Sequence, residues 1–130
     1  REILESVVSE GSGSGAYIKG FRVGGKTGTS QKVAKIQETG NTHLYIGSCV
    51  SVAPIEDPEI IVLVMQDEPK GLRYYGSVVS APVNSKIMSD ALPYLGYEAS
   101  YSEEELKKLS ISVPETVGLT VADAKTRNLP

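Results

Sequence analysis

The sequence has little of what marks several common protein classes. Among its 130 residues, 13 Lys and Arg stand against 16 Asp and Glu, for a formal net charge of -3. Because basic residues do not outnumber acidic ones, the composition excludes a strongly basic nucleic-acid binder. There is one cysteine, Cys49, which excludes an internal disulfide and a thiolate metal site. We therefore expect Cys49 to be a small buried hydrophobe.

Long apolar runs are also missing. The longest, residues 60–65, is much shorter than the about 20 residues that a helix needs to cross a bilayer, so no membrane segment is expected. No charged-then-apolar leader opens the sequence, and its first residue is not Met. We expect the chain to be a fragment whose export signal or anchor lies outside it.

Hydrophobic periodicity predicts an α+β fold. Apolar residues at helical spacing predict a short helix over residues 3–8 and a helix of about four turns over 79–95. The intervening pattern predicts three strands, at residues 21–31, 43–53 and 59–66. We expect an antiparallel sheet flanked by helices, followed by a truncated small α+β module.

Three details of the predicted sheet follow from the same pattern. The third strand is apolar on both faces, which predicts a central strand covered from both sides. Residues 35–42 contain Gly-Asn and predict a hairpin loop. Residues 11–15, Gly-Ser-Gly-Ser-Gly, fit a flexible linker, an engineered scar or a close approach of the backbone to another segment.

Composition divides the chain into three parts. Residues 1–96 contain the predicted sheet and helices. Residues 97–110 shift to Glu and Lys between serines, which is typical of a linker or a solvated helical turn. Residues 111–130 predict an extended segment and then a helix, with too few apolar residues for a core of their own.

A phosphate-binding loop is one interpretation of residues 20–27. They read Gly-Phe-Arg-Val-Gly-Gly-Lys-Thr and satisfy the spacing of that motif. The loop requires a buried strand before its first glycine and a helix beginning at its lysine, so that N–H groups face the phosphates. A glycine-serine stretch precedes the motif, and poor helix formers follow it. Nucleotide binding is therefore the less favoured alternative.

The same lysine begins Lys26-Thr27-Gly28-Thr29, the K-T-G element of penicillin-recognising serine enzymes. On the predicted strand, the period of two puts the hydroxyls of Thr27 and Thr29 on one side, where both can reach a substrate carboxylate. Gly28 leaves room for a neighbouring backbone, and Lys26 supplies a fixed positive charge. Three residues recur often by chance, so the motif alone is a weak signal.

Longer stretches around this motif carry a resemblance to a family. Residues 1–96 resemble, in register, the C-terminal third of the transpeptidase domain of class B penicillin-binding proteins. Residues 113–125, Val-Pro-Glu-Thr-Val-Gly-Leu-Thr-Val-Ala-Asp-Ala-Lys, resemble the opening of a PASTA domain. The stretches similar to the transpeptidase family are residues 4–13, 16–17, 20–31, 45–47, 52–54, 57–58, 61–64, 67–71 and 74–83.

The resemblance implies a D,D-transpeptidase at the extracytoplasmic face of the bacterial membrane, with no metal or other cofactor. In this family a serine of an S-x-x-K helix attacks the penultimate D-Ala carbonyl of a peptidoglycan stem peptide, and the acyl group then passes to an amine. β-Lactams acylate the same serine. By resemblance, Lys26 tunes the nucleophile cluster, Thr27, Gly28 and Thr29 bind the substrate, and the Thr29 N–H forms half of the oxyanion hole.

Two elements of that chemistry are missing. No serine has Lys three positions later, and none has Asn two positions later. Because nucleophile, base and oxyanion donors act together, we expect this chain alone to be inactive and its partner to be the missing N-terminal part of the same domain. A carboxypeptidase is an open alternative within the enzyme class, and a non-catalytic module that binds cell-wall muropeptides is one outside it.

Other polar and aromatic residues have plainer interpretations. We expect His43 to be a polar residue at a strand end, because no acidic partner lies nearby in sequence. Asp67 and Glu68 are expected to be turn residues, since no second ligand cluster accompanies them. Tyr74 and Tyr75 are expected to pack at a helix entry.

Overall fold

The computed structural model describes residues 1–71 and 73–109. The predicted module at residues 111–130 therefore lies outside the described residues. Among the described residues, no helix is long and apolar enough to span a membrane. The elements are α1 (Glu2–Ser9), a 3-10 turn (Ser14–Ala16), β1 (Gly24–Gln31), α2 (Val33–Thr39), β2 (Tyr45–Ala53), β3 (Ile60–Asp67), α3 (Gly76–Val79), α4 (Ala81–Tyr94) and α5 (Glu103–Leu109).

The three strands form an antiparallel sheet in the order β1-β2-β3. In β1 and β2, Thr27 lies opposite Cys49 and Lys26 opposite Val50. In β2 and β3, Cys49 lies opposite Val64. With helices packed against the sheet, the described chain has the predicted α+β architecture, an antiparallel sheet flanked by helices.

One face of the sheet carries the core. Alternate residues of β2, from Gly47 to Ala53, are buried there, and α3 and α4 contact this face. α4 begins with Pro82 in its first turn and contributes the fully buried side chains of Met88 and Leu92. Proline is tolerated at that position because the first-turn N–H groups have no helical partner. We call this surface the helix face.

A buried polar side chain joins α4 to the sheet. Asn84 Nδ2 donates to the carbonyl oxygens of Cys49, at 3.0 Å, and Val62, at 2.9 Å. Its Oδ1 accepts the hydroxyl of Ser51. The Asn84 side chain is fully buried, where an unpaired amide would cost free energy. Asn84 therefore holds α4 in one register against β2 and β3.

Within the described residues, the opposite face of the sheet is exposed and β3 is an outer strand, which corrects the prediction of a central third strand covered from both sides. β3 alternates half-buried and exposed residues, and within the described residues no further strand pairs with its outer edge. Ile61, Leu63 and Met65 are 70%, 59% and 60% exposed. We call this surface, with Val50 and Lys26 of the neighbouring strands, the open face.

A second correction concerns the connection between β1 and β2. Residues 35–42 were expected to be a hairpin loop, but helix α2 fills most of this connection and ends at Gly40, whose φ is 72°. A left-handed glycine is a common helix terminator because it has no Cβ to clash. The Gly-Asn pair marks the end of a helix here instead of a turn between strands.

Candidate active-site strand

The Lys26–Thr29 segment lies in the middle of β1, at an edge of the sheet. Lys32 N donates to Leu44 O at 2.9 Å. This bond continues the register of β1 and β2 and shows which β1 residues hydrogen-bond to β2. In an antiparallel pair, alternate residues direct both backbone groups toward the partner strand. Even-numbered β1 residues therefore bond to β2, and the N–H and C=O groups of Thr27 and Thr29 point to the free edge.

The side chains of this segment divide between the two faces. Thr27 and Thr29 share the helix face, because the residues opposite them are the buried Cys49 and Gly47. Lys26 projects from the open face, is exposed, and its Nζ donates to Thr27 O at 2.8 Å. The lysine and the two hydroxyls can therefore meet a common ligand only at the free edge of β1.

Thr27 lies beside the glycine-serine segment at residues 11–15. The hydroxyls of Thr27 and Ser12 are 3.5 Å apart. Gly13 N donates to Val7 O at 2.9 Å, and a Cβ at Gly11 would be 2.9 Å from the Val7 carbonyl oxygen. These close approaches require glycine, so the segment is a turn packed on α1 and not a flexible linker.

Thr29 contacts the beginning of α3. Its Oγ1 accepts the N–H of Gly76 at 3.1 Å. A Cβ at Gly76 would overlap the carbonyl oxygens of Gly28 and Ser48, so only glycine allows α3 to lie this close to β1 and β2. Sequence reasoning missed Gly76, whose only signal is its place directly before a helical pattern.

Three tyrosine rings lie together beside this contact. The rings of Tyr45 and Tyr74 are parallel, with centroids 4.0 Å apart, and those of Tyr74 and Tyr75 are 4.6 Å apart. Gln31 Nε2 donates to Tyr45 Oη at 3.2 Å. The hydrogen bond to Tyr75 raises the pKa of Tyr74 to about 12. Tyr75 immediately precedes α3, as the helix-entry prediction required.

The acidic pair at the end of β3 is engaged in ion pairs, and Asp67 is the last residue of the strand instead of the predicted turn residue. Lys32 Nζ lies 2.8 Å from Asp67 and 2.7 Å from Glu68, and Lys35 Nζ lies 2.6 Å from Glu68. The bonds from Lys32 and then Lys35 lower the pKa of Glu68 to about 2. These carboxylates therefore connect the end of β3 to α2, and their charges are already compensated.

The remaining candidates do not form a separate site. Lys26 lies within a strand, so the helix that a phosphate-binding loop requires at its lysine does not begin there. His43 is exposed. Cys49 is 1% exposed, and burial raises the pKa of its thiol. Within residues 1–71 and 73–109, no group of three His, Cys, Asp or Glu could hold a metal ion.

Comparison with known proteins identifies the family. The model described as the penicillin binding protein transpeptidase domain matches residues 1–89, which include β1 and its K-T-G element. The chain belongs to the penicillin-binding protein transpeptidase family. Its edge strand with Lys26 is therefore part of a transpeptidase domain.

Individual relatives agree with this assignment. Stage V sporulation protein D of Bacillus subtilis is 42% identical over 131 residues, covering 97% of this chain and 20% of that protein. The probable peptidoglycan D,D-transpeptidase PenA of Neisseria flavescens is 40% identical over 97 residues, covering 74% of this chain and 24% of that protein. This transpeptidase-family chain thus spans a quarter or less of the length of these two relatives.

Solved structures place the same fold in the family. The apo transpeptidase (TP) domain of Burkholderia pseudomallei penicillin-binding protein 3 is 38% identical, with a TM-score of 0.66. The match covers 78% of this chain and 30% of that chain. The α+β unit described here therefore corresponds to less than a third of the solved chain.

Proposed function

We propose that this chain is the part of a peptidoglycan D,D-transpeptidase that forms the K-T-G wall of its active site. The observation that carries the proposal is the position of Lys26–Thr29 on the free edge of β1, with outward backbone groups at Thr27 and Thr29. Such an edge can bind an extended peptide as an additional strand. A stem peptide is a substrate of that kind.

The outward backbone and hydroxyl groups would hold the reacting end of the peptide. The Thr29 N–H would donate to the carbonyl oxygen that becomes an oxyanion, where it stabilises charge that develops in the transition state. The Thr29 hydroxyl already accepts from Gly76 N, so its own hydrogen is left to donate to the terminal carboxylate. Thr27 would offer a second hydroxyl from the same face.

Lys26 would act on the nucleophile from the open face. Its exposed Nζ lies on a flexible stem and can leave the Thr27 carbonyl when another acceptor is present. In the intact enzyme, a serine from the rest of the domain would attack the D-Ala carbonyl and form an ester as the terminal D-Ala leaves. An incoming amine would then take the acyl group and release the serine.

The remainder of the domain must supply the serine, because this chain has no S-x-x-K or S-x-N element. Its partners would be that N-terminal part, the stem peptides and, in the intact protein, β-lactams, all at the extracytoplasmic face of the membrane. We further propose that residues 1–96 belong to the catalytic domain, that 97–110 join it to the next part, and that 111–130 begin a PASTA-like module.

Covalent labelling with a fluorescent penicillin tests the proposal. The 130-residue chain alone should take no label. In the longer protein, Lys26→Ala should slow acylation by about 100-fold or more, as expected for loss of a group that stabilises the transition state. Lys35→Ala is the control, because Lys35 is also exposed but pairs with Glu68.

Two outcomes would contradict this proposal. Stoichiometric, boil-resistant labelling of the isolated chain would place a nucleophile within it. Equal acylation rates for the Lys26 and Lys35 variants would remove the K-T-G role. Whether the released product is a cross-linked peptide or a shortened, hydrolysed one distinguishes a transpeptidase from a carboxypeptidase.

A further inference from the structure

Residues 97–109 are anchored to the rest of the domain at several points. Tyr97 packs against the core, and its N–H donates to Leu92 O at 3.0 Å. Ser100 N donates to Gly20 O at 2.7 Å. The composition of this segment is that of a linker, but its backbone is bonded to α4 and to the segment before β1.

The carboxylate of Glu105 makes the outermost of these contacts. Its Oε1 accepts the Tyr17 hydroxyl at 2.6 Å and the Gly20 N–H at 3.0 Å. Its Oε2 accepts the Ser102 N–H at 2.8 Å, while Ser102 Oγ accepts the Glu105 N–H at 3.2 Å. The reciprocal bonds with Ser102 form a capping box that begins α5. One carboxylate therefore both starts α5 and ties it to residues 17–20.

The backbone at Gly20 is shaped to receive this segment. Its φ is 77°, a left-handed value that favours glycine. A Cβ at Gly20 would lie 2.8 Å from Ala99 Cβ and 2.9 Å from the Tyr101 ring. Gly20 lies four residues before Gly24, where β1 begins, so the contact is made just upstream of the strand that carries Lys26.

We propose that Glu105 is a latch that docks α5 on residues 17–20 and so holds Leu109, the last residue of that helix, in a fixed position on the domain. A flexible tether would let the following residues sample many positions around the domain. The latch instead holds α5, from which those residues continue, against residues 17–20, shortly before β1 in the chain. This inference does not depend on the catalytic proposal, because it concerns only contacts within the chain.

Limited trypsin digestion of the full 130-residue chain tests the latch at Lys107 and Lys108. Tyr17→Phe removes the hydroxyl donor and leaves the bonds between Ser102 and Glu105 in place. Loss of one hydrogen bond, about 1 kcal/mol, should raise the population of undocked α5 and hence the cleavage rate about five-fold. Tyr94→Phe is the control, since Tyr94 is 90% exposed and should leave the rate unchanged. Equal rates in the two variants would overturn the proposal.

Hydrogen exchange at the Gly20 amide separates docking from helix capping. In Glu105→Ala, loss of the acceptor should lower the protection of that amide several-fold, while Glu104→Ala on the same helix should leave it unchanged. If Glu105→Ala accelerates cleavage of α5 but the Gly20 amide keeps its protection, Glu105 is only a helix cap and the latch is wrong.

Discussion

Gly76 shows how one missing Cβ positions the candidate site. α3 can rest on β1 and β2 only because nothing projects from Gly76 toward the carbonyl oxygens of Gly28 and Ser48. The same residue donates its N–H to Thr29 Oγ1. The orientation of the Thr29 hydroxyl therefore depends on a backbone approach that only glycine permits.

Gly76→Ala should destabilise the chain by about 2–3 kcal/mol, because the new methyl group meets backbone atoms that cannot rotate away. The free energy of unfolding measured in urea checks this. Gly28→Ala is the matched control, since its Cβ would meet only the terminal oxygen of Ser48, at 2.7 Å, which can turn. A Gly76→Ala variant as stable as Gly28→Ala would contradict the close packing of α3.

The sequence revealed some of these residues and not others. Lys26, Thr27 and Thr29 could be found because they form a short local motif on a predicted strand. Gly76 and Asn84 could not, because their importance comes from atoms that are distant in sequence. For Asn84, the acceptors are the Cys49 and Val62 carbonyls, which a helical pattern does not reveal.

At the scale of elements, β3 illustrates a limit of hydrophobic patterns. Its continuous apolar run predicted burial on both faces, and the structure covers only the helix face. The pattern records that a strand is compatible with burial but not which element covers it. Here α4 covers one face, and the open face leaves Ile61, Leu63 and Met65 exposed.

Two leucines test this difference between the faces. Leu92→Ala, at a fully buried position on α4, should lower the free energy of unfolding by about 2–5 kcal/mol through lost burial and a cavity. Leu63→Ala, on the open face, should change it by about 0.5 kcal/mol or less. Urea unfolding of dilute protein measures both. A cost for Leu63→Ala close to that of Leu92→Ala would show that the open face is covered.

Helix α2 is an element that the hydrophobic pattern failed to predict. Its few apolar residues gave no strong helical period, and Gly40-Asn41 indicated a turn. Ion pairs from Lys32 and Lys35 to Glu68 hold this helix beside the end of β3. The sheet brings these charges together from positions distant in sequence, which local sequence patterns do not report.

At the scale of the molecule, three carboxylates join elements that are separate in sequence. The Arg22 guanidinium lowers the pKa of Glu5, and this ion pair joins α1 to the residues just before β1. Lys32 and Lys35 lower the pKa of Glu68 to about 2. Tyr17, with the Ser102 and Gly20 N–H groups, lowers the pKa of Glu105 to about 2. Each junction is therefore strongest when its carboxylate is ionised.

Acid should loosen these junctions together. A carboxyl whose pKa is lower in the folded state contributes stability above its ordinary value of 4.5, and that contribution is lost as pH falls toward about 2. The free energy of unfolding should therefore fall between pH 5 and pH 2. Urea unfolding across that range measures it, and 1 M salt should weaken the dependence because the pairs are exposed.

Glu68→Gln provides the matched variant for this pH series. It should show a shallower loss of stability on acidification than the parent chain, while Glu104→Ala should follow the parent curve. Identical curves for Glu68→Gln and the parent would show that the ion pairs of Glu68 contribute nothing to folding in solution.

The sequence by itself determined the α+β class, the segments that become β1, β2 and α4, and the K-T-G element, because these depend on local periodicity and on neighbouring residues. Only the tertiary structure decided that β1 exposes an edge, that Lys26 and the two threonines project from opposite faces, and that Glu105 docks α5 on residues 17–20. These features depend on strand order, ladder phase and contacts between residues as many as 88 positions apart. No local pattern contains that information, since it is set by which surfaces the folded chain brings together.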